Sequence, residues 1–145
     1  MKIALISCSA RKQKVPCIAS EMYAPSQIFS LSYEYAKQIA DRVYILSAKH
    51  ELLDENTYIE TYNLSLTKMK VKERRNWAQN VISQLQEKCD IRNDEFIILA
   101  GRIYYVDLLP ALTNFTIPLK HESLFDRPAA LKQLLQQIKT EGSEH

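Results

Sequence analysis

The residues best suited to chemistry in this 145-residue chain stand directly behind short apolar runs. The run at residues 2–7, KIALIS, leads into CSARK, and the run at 43–47, VYILS, leads into AKH. Small side chains let a ligand approach backbone N–H groups closely, and Lys or Arg supplies charge for a phosphate or carboxylate. The two segments therefore predict contacts to an anionic or nucleotide-like ligand.

The elements that must position these residues alternate between strand and helix patterns. Continuous apolar runs predict strands at 2–7, 43–47 and 96–100, and TIPL at 116–119 predicts an edge strand because Pro118 lacks an N–H donor. Helix patterns cover 25–40, 68–88, 104–112 and 128–139. This alternation predicts an α/β fold: one three-layer α/β/α domain over residues 1–140, with a mostly parallel sheet of about four strands and a Rossmann-like order. Residues 141–145 are expected to be a disordered tail.

The carboxyl ends of parallel strands share one edge, which is where open α/β sheets bind ligands. We expect Cys8 or Ser9 to bond to or attack a substrate there, and Lys12 to hold an anionic group. The other expected ligand-binding residues follow the same strands or lie in the long segment 50–67, which has no regular period: Ser7, Ser47, Lys49, His50, Glu60, Tyr62, Gly101, Arg102 and Tyr105.

Each of these residues also has a purely structural interpretation. Hydroxyl residues commonly end strands and cap helices, a free cysteine such as Cys8 is often a buried apolar residue, and Glu60 and Tyr62 are alternatively anchors of their loop. The chain contains no P-loop, GxGxxG, GxSxG or HExxH motif, and its Cys and His residues lack metal-ligand spacing. No cofactor and no metal is therefore expected.

A net charge of +2 neither requires nor excludes a nucleic-acid partner. The predicted helix at 68–88 begins with a basic stretch in which Lys70, Arg74 and Arg75 could contact a nucleic-acid backbone, or form a solvated helix face. The first apolar run is too short for a signal peptide or a membrane span, and three cysteines favour reduced thiols over disulfides. We expect a cytoplasmic protein without a membrane partner; its oligomeric state stays open.

Five segments in order, MKIALISCSARK, PCIASEMYAPSQIF, VYILSAKHELLD, ETYNLSL and FIILAGRIYYVDLLP, resemble a family of small uncharacterised bacterial and phage proteins similar to the peroxide-stress protein YaaA. That resemblance implies a stress-response role linked to DNA. More faintly, CSARK and the Tyr- and Ser-rich stretch behind it are similar to the catalytic core of archaeosine synthase. This second similarity implies a uracil-DNA-glycosylase-like fold and a base or amino-acid ligand surrounded by Ser7, Cys8, Ser9, Lys12 and Tyr23.

One position departs from the first family's pattern. A glycine usually follows the position of His50, where this chain has Glu51. Glycine adopts positive φ angles that other residues avoid, so the backbone geometry of this turn is left open.

Three functions follow from these observations. The first is binding or processing of a nucleobase, nucleotide or nucleic acid at the carboxyl-end rim of the sheet, with or without catalysis. The second is a non-catalytic DNA-binding stress protein that uses the basic helix start and Arg102. The third is a small interaction module in a phage or defence system.

Overall fold

A mostly parallel sheet of five strands forms the centre of the structure, a computed structural model that describes residues 1–143. In chain order the strands of the structure are β1 (Lys2–Ser7), β2 (Cys17–Ile18), β3 (Arg42–Ser47), β4 (Glu51–Asp54), β5 (Tyr58–Ile59), β6 (Glu95–Leu99) and β7 (Asn114–Thr116). The large sheet has the order β4-β3-β1-β6-β7, in which β4 alone runs antiparallel to its neighbour. Strands β2 and β5 pair separately as a short antiparallel ribbon.

Five helices connect or follow these strands: α1 (Ala19–Met22), α2 (Gln27–Ile39), α3 (Val71–Lys88), α4 (Arg102–Tyr105) and α5 (Arg127–Ser143). Single turns of 3-10 helix lie at Leu66–Lys68 and Leu109–Ala111. The start of α2 is fixed by Ser26, whose hydroxyl oxygen accepts a hydrogen bond from the Phe29 N–H at 3.3 Å. Within residues 1–143, no helix has the length and apolar character needed to cross a membrane.

Apolar side chains are buried on both faces of the sheet, as the continuous apolar runs require. Ile3 and Leu5 of β1 belong to a cluster that contains Trp77 and Leu85 of α3. The alternate β1 residues Ala4 and Ile6 belong to a second cluster, with Phe29 of α2 and Leu131 of α5. Because successive strand residues point to opposite faces, the two clusters lie on opposite sides of β1, one with residues of α3 and the other with residues of α2 and α5.

The α/β fold class and the mostly parallel sheet are confirmed, and the sheet has five strands instead of about four. The additional strand, β4, lies in the segment predicted to be irregular, where the chain folds back against β3. The bounds predicted for the edge strand, 116–119, are wrong: β7 spans Asn114–Thr116 and ends before Pro118, which has no N–H to donate to a neighbouring strand.

Several helical regions also differ from the patterns: α1 was not predicted, and α3 begins at Val71 and not at residue 68. The predicted helix at 104–112 is divided into α4 and a 3-10 turn that contains Pro110. Helix α5 continues to Ser143, and residues 144 and 145 of the predicted disordered tail lie outside the described residues.

Candidate functional site

The carboxyl ends of β1, β3 and β6 lie side by side. Ser7 is level with Leu46 of β3, and Ile6 is level with Leu99 of β6. The Cys8 N–H donates to the Leu46 carbonyl at 3.0 Å, which keeps the chain beside β3 as it leaves β1. The loops that follow these three strands therefore meet at one rim.

A cavity of about 320 Å³ opens at this rim, between the ends of β1 and β6 and the first turns of α2 and α5. We call it the serine cavity. Its polar lining consists of Ser7, Cys8, Ser9, Ser26, Ser32 and Arg127, and its apolar lining consists of Ile6, Ala10, Ile28, Phe29, Leu99 and Leu124. No carboxylate side chain is among these lining residues. The cavity is thus suited to a ligand with one negative and one apolar part.

Arg127, the first residue of α5, supplies the positive charge of the serine cavity. Its Nε is buried and has no hydrogen-bond partner within the described part of the chain. A Cβ at Gly101 would stand 3.9 Å from the Arg127 Nη1, so the guanidinium lies near this glycine. Ser26 also brings the first turn of the 13-residue helix α2 to the cavity, and a helix N-terminus favours negative charge.

A chain of hydrogen bonds, which we call the tyrosine cluster, joins Tyr23, Tyr62, Ser47 and His50 beside the cavity. The Tyr62 hydroxyl lies 2.6 Å from the Tyr23 hydroxyl and 2.8 Å from the Ser47 Oγ. The Ser47 Oγ also accepts the His50 backbone N–H at 2.9 Å. Tyr62 therefore holds segment 50–67 to the end of β3 and to the buried Tyr23.

Three cationic or ionisable side chains surround the Tyr62 ring. The Lys12 and Lys49 Nζ atoms lie 4.6 and 5.8 Å from the ring centroid, and the His50 ring meets it edge-on at 5.5 Å. Burial lowers the pKa of Lys12, although the nearby Cys8 opposes this shift. Burial, with a smaller contribution from Lys49, also lowers the pKa of His50.

The two tyrosines of the cluster stay protonated at neutral pH. Burial raises the pKa of Tyr23 to about 12, and it also raises the pKa of Tyr62. Both hydroxyls are therefore hydrogen-bond donors as well as acceptors at the pH of a cell.

Cys8 belongs to the cavity wall and also contacts the residues behind the tyrosine cluster. Its Sγ lies 3.4 Å from the Tyr104 hydroxyl, and burial raises the pKa of this tyrosine. The Tyr104 ring meets the Trp77 ring edge-on at 5.9 Å, and the Trp77 Nε1 donates to the Ser47 carbonyl at 2.8 Å. Trp77 thus contacts both Tyr104, which lies beside the Cys8 thiol, and the end of β3.

The backbone of the turn after His50 has the conformation that a glycine would favour, although Glu51 stands there. Glu51 has a φ of 62°, so it adopts the left-handed conformation without being a glycine. Its carboxylate accepts hydrogen bonds from the Asn80 Nδ2 at 2.6 Å and the Gln84 Nε2 at 2.9 Å. The Gln84 Oε1 in turn accepts the Leu52 N–H at 2.9 Å. Side chains of α3 thereby hold the turn that presents Lys49 and His50.

The predicted site residues fall into three groups. Ser7, Cys8 and Ser9 line the serine cavity, and Gly101 lies near its arginine. Lys12, Tyr23, Ser47, Lys49, His50 and Tyr62 form or surround the tyrosine cluster. The other residues predicted for the rim or its loops, Glu60, Arg102 and Tyr105, belong to neither the cavity nor the cluster.

Glu60 is exposed, and Tyr105 is buried in the apolar cluster on the α3 face. Arg102 lines a separate groove of about 490 Å³, together with Arg74 and Arg75 of the predicted basic helix start. We call this the arginine groove; its other lining residues are Val71, Ile103, Val106 and Asp107. Lys70 is the N-cap residue of α3, next to the groove.

Three polar residues of the cavity lining were not predicted from the sequence: Ser26, Ser32 and Arg127. Tyr104 and Tyr105 are adjacent, and only the start of α4 at Arg102 decides which of them faces Cys8. Arg127 precedes Pro128 at a predicted helix start, a sequence signal that could have placed it at the rim. In the part of the chain that the structure describes, no group of three or more His, Cys, Asp and Glu could hold a metal ion.

Comparison with known proteins supports one part of the resemblance. No curated protein and no solved structure matches the chain significantly, so these comparisons lend no support to a similarity with YaaA or with archaeosine synthase. A family model matches residues 3–133, which is nearly the whole chain and includes both the serine cavity and the tyrosine cluster. The chain belongs to DUF6884, a family of unknown function.

Proposed function

We propose that the protein binds a small anionic ligand with an aromatic ring, of the nucleoside monophosphate class, in the serine cavity. The observation that carries this proposal is the Arg127 guanidinium, whose buried Nε has no partner within residues 1–143, in a cavity lined by four serines. A buried donor without a partner is costly, and an anionic ligand group would satisfy it.

The charge of the lining supports an anion over a cation. Arg127 is not opposed by an Asp or Glu in the cavity wall, and the first turn of α2 adds positive potential. The planar guanidinium fork is suited to bidentate contact with phosphate or carboxylate oxygens. The serine hydroxyls can donate to the remaining oxygens of the same group.

The size and the apolar wall of the cavity support a ring-containing ligand. Its volume of about 320 Å³ lies at the lower end of the roughly 300–1,000 Å³ that small-molecule sites occupy. Ile28, Phe29 and Leu124 provide apolar surface for a flat ring such as a nucleobase. The clusters on both faces of the sheet support the three-layer arrangement in which such rim sites occur.

Cys8 and Lys12 are the groups that we infer to lie at the reactive end of the ligand. The Cys8 thiol is in the cavity wall, beside the Tyr104 hydroxyl and near the Lys12 ammonium. Ser9 is less suited to attack a ligand, because its hydroxyl donates to the Arg11 carbonyl at 2.7 Å. Cys8 is therefore the stronger of the two predicted nucleophiles.

The test is isothermal titration with the common nucleoside monophosphates, the matching nucleosides and inorganic phosphate. We expect a monophosphate to bind more tightly than its nucleoside, and Arg127→Gln to weaken that binding by about 10- to 100-fold, as loss of a charge-assisted hydrogen bond does. Arg92→Gln, at an exposed turn remote from the rim, is the matched control and should bind like the wild type.

Two results would contradict the proposal. One is the absence of binding by every monophosphate at millimolar concentration. The other is equal binding by Arg127→Gln and Arg92→Gln when both variants show the wild-type circular dichroism spectrum.

A further inference from the structure

We propose that the arginine groove binds the phosphodiester backbone of a single-stranded nucleic acid. This inference goes beyond the proposed function, because the groove and the serine cavity share no lining residue. The groove is formed by α3 and α4, on the face of the sheet opposite α2 and α5. Each site can therefore be tested without the other.

The charge of the groove comes from two separate segments of the chain. Arg74 and Arg75 lie in the first turns of α3, and Arg102 is the first residue of α4. None of the three forms an ion pair with a carboxylate of residues 1–143, although Asp107 is part of the lining. Three guanidinium groups thus converge on one concave surface with their charges free for an external anion.

The shape of the groove favours a polymer over a single phosphate. A second cavity of about 420 Å³ shares Arg75 and Asp107 with the groove and continues toward Pro110 and Ala111. The two cavities therefore form one extended track, and Arg75 stands where they meet. Successive phosphates of a strand can contact arginines along such a track.

The walls of the track favour a single strand over a duplex. Val71 is 51% exposed, and it lines the groove with Ile103 and Val106. Unpaired bases can pack against these apolar side chains and against guanidinium planes while the backbone follows the charge. A duplex keeps its bases stacked inside and presents a convex backbone, so it cannot use the concave apolar wall.

The experiment measures fluorescence anisotropy of labelled oligothymidylate, oligouridylate and a duplex of equal length over a series of KCl concentrations. We expect the wild type to bind the single strands with a log–log salt slope of about −2, since three phosphate contacts contribute roughly 0.7 each. Arg74→Gln/Arg75→Gln should weaken binding by about tenfold or more and bring the slope below about 1 in magnitude. A preference between the two oligomers would identify DNA or RNA as the strand.

The matched control is Lys132→Gln/Lys139→Gln, which removes the same formal charge from exposed positions of α5. It should retain nearly all of the binding and most of the salt slope. Arg127→Gln should also retain strand binding, so failure of the nucleotide proposal and failure of this one are distinguishable.

Several outcomes would overturn the inference. They are no binding of either single strand at low salt, tighter binding of the duplex, and equal losses in the groove variant and the α5 control. Displacement of the strand by poly-L-glutamate at equal charge concentration would also overturn it, because the groove would then be a general acceptor for polyanions or acidic proteins.

Discussion

The tyrosine cluster and the arginine groove both contain several polar side chains, but among the described residues these side chains are paired with one another in the cluster and form no ion pairs in the groove. In the cluster, the hydroxyls of Tyr23, Ser47 and Tyr62 are hydrogen-bonded to one another. In the groove, Arg74, Arg75 and Arg102 form no ion pair within residues 1–143. Polar groups that satisfy each other stabilise the fold, whereas charges left unpaired at a concave surface are available to a partner. Substitutions in the cluster should therefore change stability, and those in the groove should change binding.

The largest expected effect is that of Trp77→Ala. Trp77 is 5% exposed, and its indole both fills the α3-side core and donates to the Ser47 carbonyl. We expect the free energy of unfolding in urea to fall by about 3–5 kcal/mol. Arg75→Ala, two residues earlier on the same helix, should change it by less than about 0.5 kcal/mol. Similar losses in both variants would remove the distinction between the two regions.

An intermediate effect is expected for Tyr62→Phe. This change keeps the ring but deletes the hydroxyl that links Tyr23 to Ser47, which leaves the hydroxyls of these two buried residues each short of a partner. The expected loss is about 1–3 kcal/mol in the free energy of unfolding. Tyr58→Phe removes the same atom from a side chain that is 68% exposed, and it should be almost neutral. If Tyr62→Phe is equally neutral, the cluster does not anchor segment 50–67.

The smallest expected effect is the difference in stability between two substitutions at Glu51. Glu51→Ala and Glu51→Gly both lose the hydrogen bonds to Asn80 and Gln84, but alanine must keep the φ of 62° that glycine tolerates. We expect the glycine variant to be about 1 kcal/mol more stable than the alanine variant in urea unfolding. Equal stabilities would show that the turn relaxes once the carboxylate is removed.

The sequence pattern located the rim because apolar runs followed by small and cationic residues require only local information. The segments behind β1 and β3 supply Cys8 and Ser9 to the cavity, and Lys12 and Lys49 to the Tyr62 ring. The same reasoning missed Arg127, which reaches the cavity only because α5 packs beside α2 on one face of the sheet. It also grouped Arg102 with the rim, because it could not show that α4 turns this side chain toward α3.

The turn at Glu51 also depends on distant contacts that the local sequence does not reveal. The sequence identifies a position where a glycine would ease the backbone, and nothing local indicates that Asn80 and Gln84 compensate for its absence. These partners are about thirty residues away along the chain, on α3. The sequence therefore shows that a residue other than glycine stands at this position, and only the tertiary contacts show what stabilises its positive φ.

By itself, the sequence determined the α/β class, the buried parallel strands and the approximate positions of the main helices. Hydrophobic periodicity and the residues that begin or end helices and strands depend on only a few neighbouring residues. The sequence also identified the loops behind β1 and β3 as carriers of the hydroxyl, thiol and cationic side chains that meet at the rim. Only the tertiary structure decided that Tyr104 and not Tyr105 faces Cys8, that Arg127 enters the serine cavity, and that Arg102 joins Arg74 and Arg75 in a separate groove. These pairings depend on helix register and on contacts between distant segments, which no local pattern encodes.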